Sequence, residues 1–218
     1  EIRDALRLYA VTDRSWLRGR RFEKVLQEAL SAGGITCVQL REKHAAHEEK
    51  EALAREAQAL CAQAGIPFLI DDDVELALCI GADGVHIGQD DVPCAEARRA
   101  LGDQAIIGVT AKTLEQACKA EAEGADYLGV GAVFPTSTKQ DTWTIDHEML
   151  RQICAAVSIP VVAIGGITAD NARELAGSGI AGIAVVSAIF AQDDPAGAVK
   201  RLSKVAEALL GAAVRKGS

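Results

Sequence analysis

A short segment carries an amide and two cations at alternate positions, Gln39, Arg41 and Lys43. It continues an apolar run, which favours a β-strand that leads into a charged loop. Because neighbouring side chains of a strand point to opposite sides, these three are expected to share one side. Guanidinium and ammonium groups bind phosphate oxygens, so the spacing predicts an anion site. The structural alternative is a solvated charged turn in which Glu42 pairs with a neighbour.

Acidic residues follow the next two apolar runs. Asp71, Asp72 and Asp73 end one run, and Asp90 and Asp91 come shortly after the other. Carboxylates that lie close together are costly unless a cation joins them, and Mg²⁺ accepts one or two carboxylates beside water and phosphate oxygens. Asp72 or Asp73 could instead cap the helix that follows. An anion site beside a Mg²⁺ site indicates a diphosphate ligand.

A third polar segment combines hydroxyl groups with a lysine directly after a proline. Thr136, Ser137 and Thr138 stand in consecutive positions, and Lys139 follows them. Hydroxyls, backbone N–H groups and an ammonium all donate to phosphate oxygens. The alternative is an ordinary loop rich in Ser and Thr. The position of the segment in the fold distinguishes a phosphate-binding role from this alternative.

Composition narrows the function classes. The chain has 218 residues, 49% of them hydrophobic and 25% charged, which is typical of a globular protein. A net charge of −8 without a basic face disfavours nucleic acid as a partner. We expect no membrane span, no secretory signal and a cytoplasmic location, with the six cysteines as free thiols. The oligomeric state stays open, a homo-oligomer included.

Eight short apolar runs alternate with amphipathic stretches, which predicts eight strand–helix units. Without any linker, they indicate an α/β fold, a single-domain (β/α)₈ TIM barrel over residues 1–218. A doubly wound open sheet is the alternative, although no Gly-rich turn follows the first run. The predicted strands are Leu8–Thr12, Cys37–Leu40, Pro67–Ile70, Gly84–Ile87, Ala105–Val109, Tyr127–Gly131, Pro160–Ile164 and Ile183–Val186.

In such a barrel the functional groups lie on the loops that follow the strands. The cations then follow strand 2, the acids follow strands 3 and 4, and the hydroxyl segment follows strand 6. Gly165 and Gly166 follow strand 7, where the barrel usually binds a phosphate through backbone N–H groups. The sequence thus predicts a monophosphate site besides the diphosphate site. His86, inside strand 4, is interpreted as a core or supporting residue rather than a base.

Six segments, in this order, resemble the thiamine-phosphate synthase family from Leu8 to about Leu210. The resemblance implies a (β/α)₈ barrel that joins 4-amino-2-methyl-5-hydroxymethylpyrimidine diphosphate to a thiazole phosphate, with or without a carboxyl group. It also implies that diphosphate leaves first, with Mg²⁺ as cofactor. The segments are QLREK at 39–43, DDDVELAL at 71–78, GVHIGQDD at 84–91, FPTSTK at 134–139, VVAIGGI at 161–167 and VVSAI at 185–189.

The resemblance also implies residue roles. The catalytic cations would be Arg41, Lys43 and Lys139, and Mg²⁺ would be bound by Asp72 and Asp91. The pyrimidine diphosphate would contact Gln39, Leu40, Arg41, Glu42, Lys43, Asp71, Thr110 and Lys139. The thiazole phosphate would contact Thr136, Ser137, Thr138, Gly166, Val186 and Ser187. Many members have Asn at position 71 and Ser at position 110, so this chain departs from the pattern at both.

Other functions are weighed against this one. A thiazole tautomerase, a related barrel, binds no diphosphate and should lack both the cation segment and the acids. A phosphate-binding lyase or isomerase barrel should carry a catalytic Lys or Asp inside a strand. A non-catalytic barrel that senses thiamine precursors is the alternative outside the enzymes.

Overall fold

The computed structural model describes residues 2–137 and 144–214, so Thr138 and Lys139 of the predicted site lie outside the described residues. Eight parallel strands close into a barrel in sequence order, with β8 paired to β1. The closure confirms the predicted (β/α)₈ fold, and the open-sheet alternative is wrong. The strands are β1 (Leu8–Val11), β2 (Cys37–Leu40), β3 (Phe68–Asp71), β4 (Gly84–Ile87), β5 (Ile106–Ala111), β6 (Tyr127–Val130), β7 (Val161–Ile164) and β8 (Gly182–Val185).

Helices surround the barrel, and their ends follow local sequence signals. Asp73 caps one helix by accepting from the N–H of Leu76 at 2.9 Å, and the left-handed Gly65 ends another. The helices are α1 (Ile2–Ala5), α2 (Phe22–Ser31), α3 (His47–Ala64), α4 (Val74–Ile80), α5 (Cys94–Leu101), α6 (Leu114–Ala122), α7 (His147–Ala156), α8 (Ser187–Phe190) and α9 (Pro195–Val214), with 3₁₀ turns at Arg14–Trp16 and Ala172–Leu175.

Alternation along the strands produces two cores. Leu8 and Ala10 of β1 pack outwards in the large core shared with the helices, whereas Tyr9 and Val11 belong to a second cluster of inward-facing residues. All four are buried. The barrel interior is therefore filled by side chains, and ligands are limited to its rim.

The joints that precede the strands are structural. Asp83 accepts from the N–H of Phe68 at 2.8 Å, and Asp126 accepts from the N–H of Ile107 at 2.7 Å. Both aspartates end Gly-Ala-Asp triplets, and each satisfies a backbone donor near the start of a neighbouring strand. The amino-terminal face of the barrel is thus fixed by its own hydrogen bonds.

Two sequence expectations concern the whole chain. All six cysteines are free thiols, as predicted. Among the described residues, no helix has both the length and the apolar composition that a membrane crossing requires.

Candidate active site

One cavity opens at the carboxyl ends of the strands. Every strand contributes to its wall, either with its last residues or with the residues just after it. This common origin explains why residues far apart in sequence meet there, since parallel strands of a closed barrel all end at one rim. The wall includes Val11, Arg41, Asp71, His86, Thr110, Lys112, Gly131, Ala132, Thr136, Ile164, Gly165, Gly166, Ile167, Ala184, Val185, Val186 and Ser187.

Arg41 is the cation that β2 contributes to the cavity wall. Its backbone N–H donates to Thr12 Oγ1 at 3.1 Å, and its guanidinium Nη1 lies 3.4 Å from Asp13 Oδ2. Both contacts come from the end of β1 and the residues just after it, so the neighbouring strand holds the segment in place. The Arg41 side chain keeps 20% of its surface exposed, and further donors remain for an anion.

Lys43 lies between two aspartates of the β3 end. Its Nζ is 2.8 Å from Asp71 Oδ2 and also contacts Asp72. Burial lowers the pKa of Lys43, but the two carboxylates outweigh it and raise the pKa above its ordinary value. Lys43 is therefore a firmly charged cation, held beside the cavity by acids that an incoming metal ion could take over.

Asp71 is nearly buried, with 10% of its side chain exposed. Its Oδ2 has the ion-pair contact with Lys43 but no partner in hydrogen-bond geometry. Burial, with a further contribution from Asp72, raises the pKa of Asp71. Burial and the nearby Asp72 disfavour the charged form of this carboxyl group. A cation or a hydrogen-bond donor on the cavity side would stabilise that form.

Asp72 and Asp91 meet although they follow different strands. A hydrogen bond joins their carboxyl groups, and Asp91 Oδ2 accepts from the N–H of Gly88 at 2.7 Å. Desolvation and the bond to Asp72 raise the pKa of Asp91 to about 6. Desolvation also acts to raise the pKa of Asp72, but hydrogen bonds from Asp91 and Lys43 outweigh it and lower that pKa.

The backbone of Asp72 is unusual, with a left-handed φ of 64°. Few residues other than glycine adopt this region, and Asp does so more readily than most. The Asp72 N–H donates to the carbonyl of His86 at 2.8 Å, which ties the β3 end to β4. Asp73 is the helix cap, so one of the three acids is structural, as the sequence indicates.

Gly165 and Gly166 follow β7 and line the part of the rim opposite the acidic residues of β3 and β4. Their φ values are 102° and 66°. A Cβ atom on Gly166 would lie 2.4 Å from the carbonyl oxygen of Pro135, so only glycine fits there. Phe134 donates its N–H to the Gly165 carbonyl at 3.0 Å. The segment after β6 is thus packed directly on the β7 end, and Thr136 lies beside the two glycines in the cavity wall.

A chain of hydrogen bonds, buried at the Gln39 end and half-buried at His86 and Thr110, crosses the barrel interior under the cavity. Gln39 Nε2 donates to Tyr9 Oη at 2.8 Å, and Tyr9 Oη lies 2.7 Å from Tyr127 Oη. His86 Nδ1 lies 2.9 Å from Tyr127 Oη, and His86 Nε2 lies 2.9 Å from Thr110 Oγ1. The chain ends at a hydroxyl in the cavity wall, and the supporting role predicted for His86 is consistent with it.

Comparison with known proteins assigns the chain to a family. The thiamine monophosphate synthase pattern matches residues 8–189. The thiamine-phosphate synthase of Clostridium tetani is 46% identical over 90% of this chain and 93% of its own length. That of Chloroflexus aurantiacus is 48% identical, with 90% of each chain covered. The solved structure of the thiamine phosphate pyrophosphorylase from Pyrococcus furiosus superposes with a TM-score of 0.88 at 42% identity, covering 97% of this chain and 100% of that one.

The chain belongs to the thiamine monophosphate synthase family. The family and the transferase class that the sequence motifs imply are therefore confirmed. The match begins at β1 and ends in α8, so it contains all the strand ends that form the cavity.

Seven residues that the sequence assigns to a synthase site line the cavity, and the other described ones do not. Leu40 is buried in the outer core, so only its backbone could contact a ligand. Glu42 Oε1 accepts from Arg14 Nε at 2.9 Å, which is the pairing with a neighbouring residue that the sequence allowed as a structural role. The seven are Arg41, Asp71, Thr110, Thr136, Gly166, Val186 and Ser187, while Gln39, Lys43, Ser137, Asp72 and Asp91 lie outside the wall.

Mg²⁺ is the cofactor that the family resemblance implies, and the donor set around Asp72 fits it. Asp72 and Asp91 offer oxygen ligands of the kind that Mg²⁺ prefers, and a divalent cation would offset the repulsion between their negative charges. Residues 2–137 and 144–214 contain no group of three or more His, Cys, Asp or Glu side chains arranged for a metal ion. Two carboxylates suffice for Mg²⁺ only if water and substrate oxygens complete its coordination.

Sequence reasoning missed Lys112, which lines the cavity from the segment after β5. Alternation from Thr110 puts Lys112 on the same side, so the strand pattern contained the signal. The local backbone is fixed, because the Lys112 N–H donates to Gln116 Oε1 at 2.8 Å. Lys112 thereby adds a cation to the rim of this synthase-family barrel.

Proposed function

We propose that the protein couples the aminopyrimidine diphosphate to the thiazole phosphate and releases thiamine monophosphate and diphosphate. The observation that carries the proposal is that one cavity wall contains Arg41 and Asp71 on one side and a glycine-rich rim after β7 on the other. Asp71 connects this wall to Lys43 and, through Lys43, to Asp72. A diphosphate with a metal ion suits the side of Arg41 and Asp71, and a monophosphate suits the glycine-rich rim. We infer that a single cytoplasmic domain over residues 1–218 does this work.

The pyrimidine substrate is assigned to the side formed by β2 to β5. Arg41 and Lys43 would bind its diphosphate, together with Lys139 from outside the described residues. Asp71 and Thr110 would contact its ring, with Gln39, Leu40 and Glu42 supporting the segment from the side of β2. The positions of Arg41, Asp71 and Thr110 in one cavity wall support this assignment.

The thiazole phosphate is assigned to the side formed by β6 to β8. Gly166 and Ser187 lie where backbone N–H groups can approach a phosphate, and Val186 would bound the ring. Thr136 and Ser137 add hydroxyl donors from the segment packed on Gly165, and Thr138 would extend that segment. The two substrates would then meet across the middle of the cavity.

Asp72 and Asp91 are proposed to bind Mg²⁺. The ion, when bound, would neutralise charge on the diphosphate oxygens. With the charge of Asp72 and Asp91 met by the ion, Lys43 would be held less tightly by Asp71 and Asp72. Lys43 could then turn towards the diphosphate.

The proposed chemistry needs no general base. The thiazole nitrogen attacks with its own lone pair, and the bond that breaks joins the pyrimidine methylene to the diphosphate oxygen, which leaves with the electron pair. Arg41, Lys43 and Lys139 would stabilise the negative charge that develops there. The electron-rich aminopyrimidine can carry positive charge on its methylene, so diphosphate loss would precede capture by the thiazole. The cavity has to hold the two rings together and exclude water.

A coupling assay tests the proposal. Purified protein is given both substrates with Mg²⁺, and thiamine monophosphate and diphosphate are quantified, with EDTA as the metal-free arm. We expect equal amounts of both products, loss of turnover with EDTA, and a large loss in Arg41→Ala. Arg55→Ala is the matched control, because Arg55 pairs with Glu51 on the outside of α3.

Two outcomes separate the rival functions. A protein that rearranges the thiazole phosphate but forms no coupled product would be a tautomerase. Tight binding of both substrates without any product would indicate a binding barrel. The Lys43–Asp71–Asp72 cluster favours the synthase over the tautomerase, because a tautomerase needs no diphosphate site.

A further inference from the structure

The hydrogen bonds of the chain under the cavity have a definite donor-to-acceptor direction. This direction, its polarity, follows from the chemistry of the groups at its ends. It begins at Gln39 and ends at Thr110, with Tyr9, Tyr127 and His86 between them. A nitrogen of an amide group can only donate, whereas each hydroxyl has a single proton to give. The direction of every bond in such a chain follows once one end is fixed.

Both phenols keep their protons. Tyr9 and Tyr127 are fully enclosed, with 1% and 0% of their surface exposed. Burial raises the pKa of each phenol well above its ordinary value, so neither becomes a phenolate. Each therefore has one O–H to donate, and a buried O–H without an acceptor is costly.

Gln39 sets the direction at its end. Its Nε2 donates to Tyr9 Oη, so the Tyr9 proton has to go to Tyr127 Oη. Tyr127 then accepts from Tyr9 and must give its own proton to His86 Nδ1, 2.9 Å away. If His86 carried a proton on Nδ1 instead, the Tyr127 O–H would be left without an acceptor among its partners in the described residues.

We infer that this hydrogen-bond chain makes His86 Nδ1 an acceptor and His86 Nε2 a donor, and thereby fixes Thr110 as a hydrogen-bond donor into the cavity. His86 Nε2 donates to Thr110 Oγ1, so the Thr110 hydroxyl proton points away from His86. His86, Tyr127 and Tyr9 are positioning residues in this scheme, because they act through Thr110. Tyr9 and Tyr127 lie outside the cavity wall, whereas His86 lines it beside Thr110.

The polarity selects the ligand atom that can face Thr110. A donor pairs with a ring nitrogen that carries a lone pair and not with an exocyclic amino group. The inference rests on the proposed function at this step, since an aminopyrimidine offers both kinds of atom. Thr110 would therefore fix which edge of the ring faces β5, and with it the direction of the reactive methylene.

The tautomer can be measured on the ligand-free protein. Two-bond ¹H–¹⁵N correlations of histidine-labelled full-length protein show which ring nitrogen carries the proton, and His86→Asn assigns the signal. We expect the proton on Nε2 in the parent protein and mixed tautomers in Tyr127→Phe. A proton on Nδ1 in the parent would overturn the inference, since it would mean that the donors and acceptors of the hydrogen-bond chain are reversed.

Kinetics give a second readout that a merely structural role would not produce. Thr110→Val should raise KM for the pyrimidine diphosphate about tenfold, the scale of one neutral hydrogen bond. Tyr127→Phe should raise it by a smaller factor, because part of the protein keeps the Nε2 tautomer. KM for the thiazole phosphate should stay unchanged, and Thr110→Ser should restore the parent value. The double variant should be no worse than Thr110→Val alone, because both changes remove the same contact. Additive losses would contradict the relay.

The two readouts separate the inference from the function on which it rests. An Nε2 proton in a protein without coupling activity would leave the polarity intact and reject the synthase. If Tyr127→Phe does not fold, as judged by circular dichroism, Tyr9→Phe replaces it. That variant removes the donor to Tyr127 and should also mix the tautomers, and a pure Nε2 form in it would show that Gln39 does not set the direction.

Discussion

A hydrogen bond joins the carboxyl groups of Asp72 and Asp91, which follow neighbouring strands of the barrel. Two carboxyl groups can share such a bond only when one of them is protonated. Desolvation and this bond raise the pKa of Asp91 to about 6, while the bond and Lys43 outweigh desolvation at Asp72 and lower its pKa. Without a metal ion, Lys43 balances part of the negative charge of this cluster, and below about pH 6 a proton on Asp91 balances more of it.

Asp91→Asn should change the pH dependence of stability in metal-free buffer. The folded pKa of Asp91, about 6, lies above the roughly 3.9 of an unfolded aspartate. The folded state therefore binds more protons between these values, so this group lowers stability as pH rises from about 4 to about 6. The variant should lose that decline and be more stable than the parent at pH 8, measured by urea denaturation. An unchanged difference between pH 5 and pH 8 would mean that Asp91 does not hold the proton.

Asp72→Asn should abolish Mg²⁺-dependent turnover and leave the fold intact. Asn tolerates the left-handed backbone of position 72, so the change removes charge without adding strain. The measurement is the melting temperature with and without Mg²⁺, alongside the coupling assay. Asp73→Ala is the matched control, since it removes a helix cap and should cost about 1 kcal/mol of stability while Mg²⁺ dependence persists. Full activity in Asp72→Asn would exclude Asp72 as a ligand.

Gly166→Ala should weaken the thiazole phosphate site. The new Cβ would lie 2.4 Å from the Pro135 carbonyl oxygen, which has to move, and with it the segment that carries Thr136. We expect KM for the thiazole phosphate to rise on the order of tenfold or more. Gly177→Ala is the control, because its φ of 80° is equally strained but a Cβ there meets open space. Equal kinetics in the two variants would remove the phosphate role from Gly166.

Lys139→Ala should slow diphosphate loss by about 10²-fold, the scale of losing one group that stabilises developing charge. The measurement is the single-turnover rate with both substrates at saturating concentration. Lys119→Ala serves as the control, since Lys119 pairs with Glu123 on the exposed side of α6. A parent-like single-turnover rate in Lys139→Ala would leave Arg41 and Lys43 as the only proposed catalytic cations.

Much of the cavity could be predicted because strand ends can be recognised locally. An apolar run that stops at Arg41, Thr110 or Gly166 marks a rim residue without any knowledge of its neighbours. Leu40 shows the limit of that reasoning, because membership of a matching motif does not say which way a side chain points. Its alternation with Gln39 and Arg41 puts it in the outer core.

The sequence by itself determined the eight strand–helix units, the barrel and the chemical types gathered at its rim, since these depend on periodicity and on short segments. Only the tertiary structure decided that Lys43 lies between Asp71 and Asp72, that Asp72 meets Asp91, and that Gln39 connects to Thr110 through the rings of Tyr9, Tyr127 and His86. Barrel closure fixes these contacts. It brings together groups from separate strands, and their protons are then arranged by distances and burial that no local pattern contains.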